Sequence, residues 1–254
     1  MSSFVFYQKV VALNSEVHRN LKFDADQVNF AFARDTTAVL LAGVEFAEAA
    51  HEYPVVFTRG EDKQLRPVAL LGVRNDENLF VDEQGKWDAR YIPAFVRRYP
   101  FVMAEGGENG ELMVCVDENC QALNVDKGEL LINAEGKLEP RMNEVMQFLQ
   151  NFQQEFARTE ALIKQLDELD LFVRQGARFD TNSGATFQLN DFYLIDEVKF
   201  GELADDQVLK LFRSGALGLV YLHLASLGNM RKLLDLVSSR TASQQQAAAN
   251  KSLH

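Results

Sequence analysis

Trp87 to Met103 reads WDARYIPAFVRRYPFVM, and the way this stretch folds decides how the rest of the chain is arranged. It holds the only tryptophan together with two tyrosines, two prolines, two phenylalanines and three arginines. Asp88 is placed to cap a helix N-terminus, where a carboxylate accepts from free backbone N–H groups. Pro93 fits only near a helix start, because it has no N–H and clashes with the preceding turn. The pattern therefore predicts a short helix beginning between Arg90 and Pro93, with Ile92, Phe95, Val96 and Tyr99 facing inward at helical spacing. Pro100 ends it, since the residue before a proline is pushed out of the helical region, and Phe101, Val102 and Met103 enter a strand. Arg97 and Arg98 fall on the last turn, where the helix dipole favours cations. Two readings of this surface stay open: helix-end charges on a packed aromatic stretch, or a guanidinium and aromatic surface for an anionic or peptidic ligand.

On either side of the stretch the chain repeats itself. Val44 to Tyr53 (VEFAEAAHEY) has Phe46, Ala49, Ala50 and Tyr53 on one helical face and is stopped by Pro54. Strands are expected at Val55 to Thr58 and Val68 to Val73, and the unit closes with NLFVDEQGKW, Asn78 to Trp87. The second unit runs from the helix Tyr91 to Tyr99 through a strand at Phe101 to Met103, a Gly-rich turn at Gly106 to Gly110 and a strand at Leu112 to Val116. It closes with ELLINAEGKL, Glu129 to Leu138. Gly85 and Gly136 hold matching places in the two closing segments, and a turn there requires positive φ. The spacing between equivalent residues is about 46 to 51, a period at which repeat units are sought. Two units are too few for an open solenoid, so a closed domain with related halves is expected.

The flanks are simpler. Phe4 to Leu13 has strand character, Asn14 to Asn20 is a polar turn, and Leu21 to Ala33 reads as extended chain broken at Asp24 to Asp26. Pro140 to Phe172 carries apolar residues every three or four positions, which predicts a long amphipathic helix with a break near Arg158–Thr159 and Thr159 as a cap. That helix covers the sheet or forms a seam with a second copy, a possible homodimer. Gln175 to Gly184 is turn-rich, and Phe187 to Phe200 alternates like a strand or hairpin. Asp205 is expected to cap a helix that Gly215 ends, followed by an apolar helix from Ala216 to Leu227 continued at Met230 to Val237. The sum is an α+β fold: antiparallel strands with short helices in two related halves, covered by the long helix and the C-terminal helices. It forms one domain over 1–237, with the repeat at 44–87 and 91–138, and the polar, Gln- and Ala-rich 238–254 is read as a disordered tail.

Composition narrows the functional classes. A net charge of −11 disfavours nonspecific binding to nucleic acid or an anionic membrane. The most apolar stretch, Ala216 to Leu227, is much shorter than the roughly 20 residues a spanning helix needs, so no membrane insertion is expected. The first residues show no secretory leader, and Cys115 and Cys120 are too few for a disulfide scaffold; both point to the cytoplasm. No phosphate loop, dinucleotide fingerprint, nucleophile elbow or His-Glu-x-x-His is present, so no cofactor and no metal site is implied. His18, beside Arg19 in a loop, reads as a hydrogen-bonding surface residue or a ligand, and His223, in an apolar helix, as a satisfied core histidine or a catalytic base, with Asp196 or Glu197 as its candidate partner.

EYPVVF (52–57), LLGVRNDENLFVDEQGKW (70–87), YIPAFVRRYPF (91–101) and DEVKF…LFRSGALGLVYLHLASLGNM (196–230) resemble the bacterial SapC family over nearly the whole chain to Leu236. The resemblance implies a soluble protein of this length and, by the family's name, a surface-layer role. It implies a gene neighbourhood of flavin-dependent halogenase-like proteins, cupin-like oxygenases and TonB-dependent receptors. It carries no catalytic residues. The expected function is a non-enzymatic binding or adaptor protein that holds a peptide or protein partner around Trp87, Tyr91, Arg97, Arg98 and Tyr99, since aromatic and Arg side chains anchor such interfaces. The alternatives are an enzyme or metal-dependent accessory drawing on His18 and His223, and a surface-layer structural component.

Overall fold

The computed structural model describes residues 4–106, 111–180 and 186–251. The turn expected at 107–110 and the last part of the one expected before Gly184 lie outside the described residues. In chain order the elements are β1 (Val10–Ala12), β2 (Lys22–Phe23), β3 (Ala38–Leu40), α1 (Phe46–Ala49), β4 (Val55–Arg59), β5 (Leu65–Leu70), α2 (Ala94–Arg97), β6 (Phe101–Gly106) and β7 (Glu111–Asp117). There follow β8 (Leu123–Asn124), β9 (Glu129–Leu130), α3 (Pro140–Glu168), β10 (Phe172–Asp180), β11 (Thr186–Ile195), α4 (Glu197–Gly201), α5 (Asp205–Ser214), α6 (Ala216–Ser226) and α7 (Asn229–Lys251). The strands form a five-stranded sheet, β10-β11-β4-β5-β3, and two three-stranded sheets, β1-β7-β6 and β8-β2-β9. Their pairings are antiparallel. The fold is α+β, as the sequence pattern predicts.

Two apolar clusters form the core. The larger joins the five-stranded sheet to α1, α2 and the C-terminal helices. The smaller holds Phe101, Val116, Leu131, Ile132, Met142 and Leu149. α3 runs over both without a break, because its inward stripe puts Met142 and Leu149 into the small cluster and Phe152, Ile163 and Leu166 into the large one. Thr159 is no cap: its hydroxyl donates to the Glu155 carbonyl at 2.6 Å and accepts the Gly43 N–H at 2.6 Å, tying α3 to the start of the first unit.

The two closing segments are built alike. In the first, Asp82 N–H bonds Lys86 O, Gly85 N–H bonds Asp82 O, and Asp82 Oδ1 accepts from Gln84 and Lys86. In the second, Asn133, Gly136, Lys137 and Glu135 repeat the same set. Gly85 and Gly136 each have φ +80, and each turn closes an isolated bridge, Val81 with Trp87 and Ile132 with Leu138.

Several expectations need correction. α2 is one turn long and starts after Pro93, whose ψ of 141° is extended, while Asp88 donates its N–H to Phe80 O instead of capping. The entrance is held extended because Tyr53 Oη donates to the Tyr91 carbonyl. Residues 31–33 form a 3-10 turn, not strand. Gln175 to Asp180 continues β10, since cross-strand pairing to β11 outweighs the local turn signals. Glu197–Gly201 is a helical turn capped by Asp196, which accepts from Val198 and Lys199 N–H. Ala204, not Asp205, is the N-cap of α5. α7 continues to Lys251 through the stretch read as a disordered tail: Ala and Gln are good helix formers, and Arg240 and Thr241 tie it to the first unit. Among the described residues no single helix is long and apolar enough to cross a membrane; α5 joined to Ala216–Ala242 passes by composition only across an 89° bend.

Candidate functional site

The central stretch is held at each end by a buried carboxylate. Glu45, 4% exposed, accepts from Tyr91 Oη and Ala94 N–H on one oxygen, both at 2.7 Å, and from Ala42 N–H on the other at 2.8 Å. One side chain thus caps α2 and the 3-10 turn before α1 together. Asp117, fully buried, accepts the N–H groups of Gln8, Lys9 and Asn119 at 2.9 to 3.1 Å and Tyr99 Oη at 3.2 Å. Burial, together with Glu45 for Tyr91 and with Cys120 and Asp117 for Tyr99, pushes both phenols well above their ordinary range. Trp87 donates from Nε1 to Tyr53 Oη at 2.8 Å and is buried, so it supports the fold and offers no surface.

The two arginines part ways. Arg98 is 6% exposed and lies 4.0 Å over the Phe95 ring and 5.4 Å from Phe152; burial lowers its pKa. It is a core residue. Arg97 is exposed, its Nε anchored on Ile92 O at 2.9 Å, and its guanidinium lies 5.7 Å from the Tyr91 ring and 5.4 Å from that of Phe148. Arg97 and Phe148 form a saddle between two cavities. One, about 250 Å³, lies toward Glu45, Glu48, Asn151, Phe152 and Glu155. The other, about 360 Å³, lies toward Phe23, Tyr99, Arg141, Glu144 and Val145. Together they make a groove between α2 and the first half of α3. A third cavity, about 350 Å³, opens on the other side of Tyr99 beside Phe32 and Cys120. Cys115 and Cys120 are free, and burial pushes both thiols up.

The histidines do not come together. His223 is buried on α6, with Nδ1 donating to Val55 O at 2.7 Å and Nε2 accepting Ile195 N–H at 3.1 Å. Its partners are backbone groups of β4 and β11 and not Asp196 or Glu197: the side chain links Val55 O to Ile195 N–H, two residues beyond the cross-strand pair Phe57–Tyr193. His18 sits in the loop after β1, its Nδ1 accepting Asn14 N–H at 2.9 Å and its Nε2 3.7 Å from Glu118. Arg19 beside it is exposed. Neither lines the groove, and no site drawing on both histidines is formed. Among the described residues no group of three or more His, Cys, Asp or Glu side chains is spaced to hold a metal ion.

Of the residues singled out in the sequence, the structure brings Tyr91, Arg97, Arg98 and Tyr99 to the groove's edge and leaves Trp87, His18, Arg19 and His223 elsewhere. Sequence reasoning missed Glu45, Glu48, Arg141, Phe148 and Glu155. The only signal for the α3 residues was their spacing, since 141, 144, 148, 151 and 155 share one helical face, and that face reads as ordinary helix surface until α2 lies beside it.

No match was found among curated proteins or among solved structures. The SapC family model matches residues 13–233 of the 254, and the chain therefore belongs to the SapC family.

Proposed function

We propose that this protein is a non-enzymatic binding protein that holds a peptide or protein segment in the groove between α2 and α3. The observation that carries this reading is Arg97, an exposed guanidinium held between two aromatic rings at the meeting point of two cavities, in a chain of net charge −11. An Arg fixed in this way has already lost much of its rotamer freedom and offers a planar fork to a carboxylate. Phe148 supplies the apolar area beside it, and such aromatic–Arg pairs anchor protein interfaces. In this reading the protein is an adaptor, and the segment is a substrate of separate halogenase-like or cupin-like enzymes. The cytoplasm is its compartment, in keeping with two free thiols.

The test is to purify the protein from its host with bound material intact, identify that material by mass spectrometry and elemental analysis, and measure its affinity for wild type, Arg97→Glu and Phe148→Ala. A stoichiometric peptide or protein is expected, with affinity falling at least about tenfold in each variant while the denaturation midpoints hold. Unchanged affinity in both variants, or a stoichiometric metal or small cofactor in place of a peptide, overturns the reading.

A further inference from the structure

The two ends of the groove carry opposite charge. At one end Glu48 and Glu155 line the cavity, and neither has an ion-pair partner among the described residues. At the other end stands Arg141, whose contacts to Glu144 at 2.9 Å and Glu129 at 3.6 Å involve carboxylates that are 67% and 66% exposed. Exposed pairs of that kind contribute little and exchange readily for a better partner. Between the ends lie Phe148 and Phe152, with Arg97 over Phe148. From Arg141 to Glu155 the helix rises about 21 Å at 1.5 Å per residue. An extended chain covers that distance in about six residues.

We propose, building on the reading of the groove as a peptide site, that it selects segments by charge order. The bound segment is extended and about six residues long. It places an acidic group against Arg141 and Arg97, apolar side chains over Phe148 and Phe152, and a basic group between Glu48 and Glu155. A uniformly acidic segment meets two uncompensated carboxylates at one end, and a uniformly basic one meets Arg141 at the other and Arg97 midway. Such like-charge contacts are what exclude wrong partners from an interface. The order also fixes which way the segment lies.

The experiment is selection from a displayed library of random octapeptides on the immobilised full-length protein, with wild type, Arg141→Glu, Glu48→Lys and Glu155→Lys run in parallel and Arg97→Glu as the control surface. Enriched sequences are expected to carry Asp or Glu at one end, Lys or Arg at the other and apolar residues between, in one N-to-C order. Arg141→Glu should remove the acidic preference, and either Glu→Lys change should remove the basic one. Synthetic peptides from the wild-type selection should bind each reversal at least about tenfold more weakly. Enrichment that depends on Arg97 but shows no charge order, or that ignores all three reversals, overturns the charge-order proposal and leaves the peptide-site reading standing. No enrichment over the Arg97→Glu surface overturns both. Denaturation midpoints for each variant separate lost binding from lost fold, and Glu48 and Glu155 test the same end independently.

Discussion

Tyr91 Oη and the Ala94 N–H meet on one oxygen of Glu45, each at 2.7 Å. The entry to the central helix is therefore set by a side chain 46 residues away from the tyrosine, and the floor of the groove depends on it. Glu45→Ala leaves the Ala42 and Ala94 N–H groups and a phenol without partners in a buried place. The expected cost is about 3 kcal/mol or more, against about 1 to 2 kcal/mol for Tyr91→Phe. Urea denaturation of the two variants measures both, and equal costs would remove Glu45 from its capping role.

His223 makes stability depend on pH. Burial pushes its pKa from 6.5 down to about 4, against the pull of its hydrogen bond to Val55 O. The unfolded chain thus binds the proton more readily than the folded one. This contribution is complete above pH 6.5, is lost as pH falls from there toward about 4, and changes no further below that, with a full span of about 3 kcal/mol. His223→Gln has an amide to donate and accept but no titration. It should be less stable at pH 7 and lose less between pH 7 and pH 4.5 than wild type; identical losses would contradict the assignment.

Arg97 and Arg98 are neighbours in sequence with opposite duties. Removing Arg98, packed on Phe95 and Phe152, should cost about 2 to 4 kcal/mol as a buried large-to-small change. Arg97→Ala should cost less than about 1 kcal/mol and instead weaken segment binding by about tenfold. A double variant would confuse the two effects, so the single variants are compared by thermal melts and by binding.

The paired closing turns allow an internal control. A Cβ on Gly85 would meet Asn29 Oδ1 at 3.1 Å, and one on Gly136 would meet Ser15 O at 3.3 Å, each at φ +80. Alanine at either site should cost about 1 to 2 kcal/mol, from the left-handed backbone and the close neighbour together. The two denaturation midpoints should shift by similar amounts; a neutral change at one site would show that its turn relaxes.

These turns show where sequence reasoning works. Gly85 and Gly136 were legible because a positive φ restricts the residue type directly, and Pro54 and Pro100 because they stop helices by local sterics. Glu45 and Asp117 were not legible, because each draws its donors from segments distant in the chain, and a carboxylate that caps through space has the same sequence signature as one in solvent. Gln175 to Asp180 was misread for the same kind of reason: pairing with β11 overrode a local preference for turns. The groove stayed hidden because half of it is the outer face of α3. Its Phe148 fits a core stripe as well as a surface until the position of Arg97 is known.

The helical C-terminus makes the last prediction. Arg240 on α7 donates to three carbonyls of the first closing segment, Asn78 and Val81 at 2.9 Å and Leu79 at 3.3 Å, while Arg74 reaches Thr241 at 2.7 Å. Those carbonyls belong to the chain that leads into Trp87, so the helix end steadies the approach to the central stretch. Arg240→Ala removes a planar fork from three acceptors and should cost about 1.5 to 3 kcal/mol, the range for hydrogen bonds with a charged partner. Arg240→Lys should recover only part of this, because a single ammonium cannot span the same three oxygens. Hydrogen exchange locates the effect: the amides that protect the first closing turn, Gly85 and Lys86 among them, should exchange faster in Arg240→Ala, while those of the matching turn at Gly136 keep their rates. Equal acceleration in both turns would mean that Arg240 acts on global stability alone and not on the segment it touches.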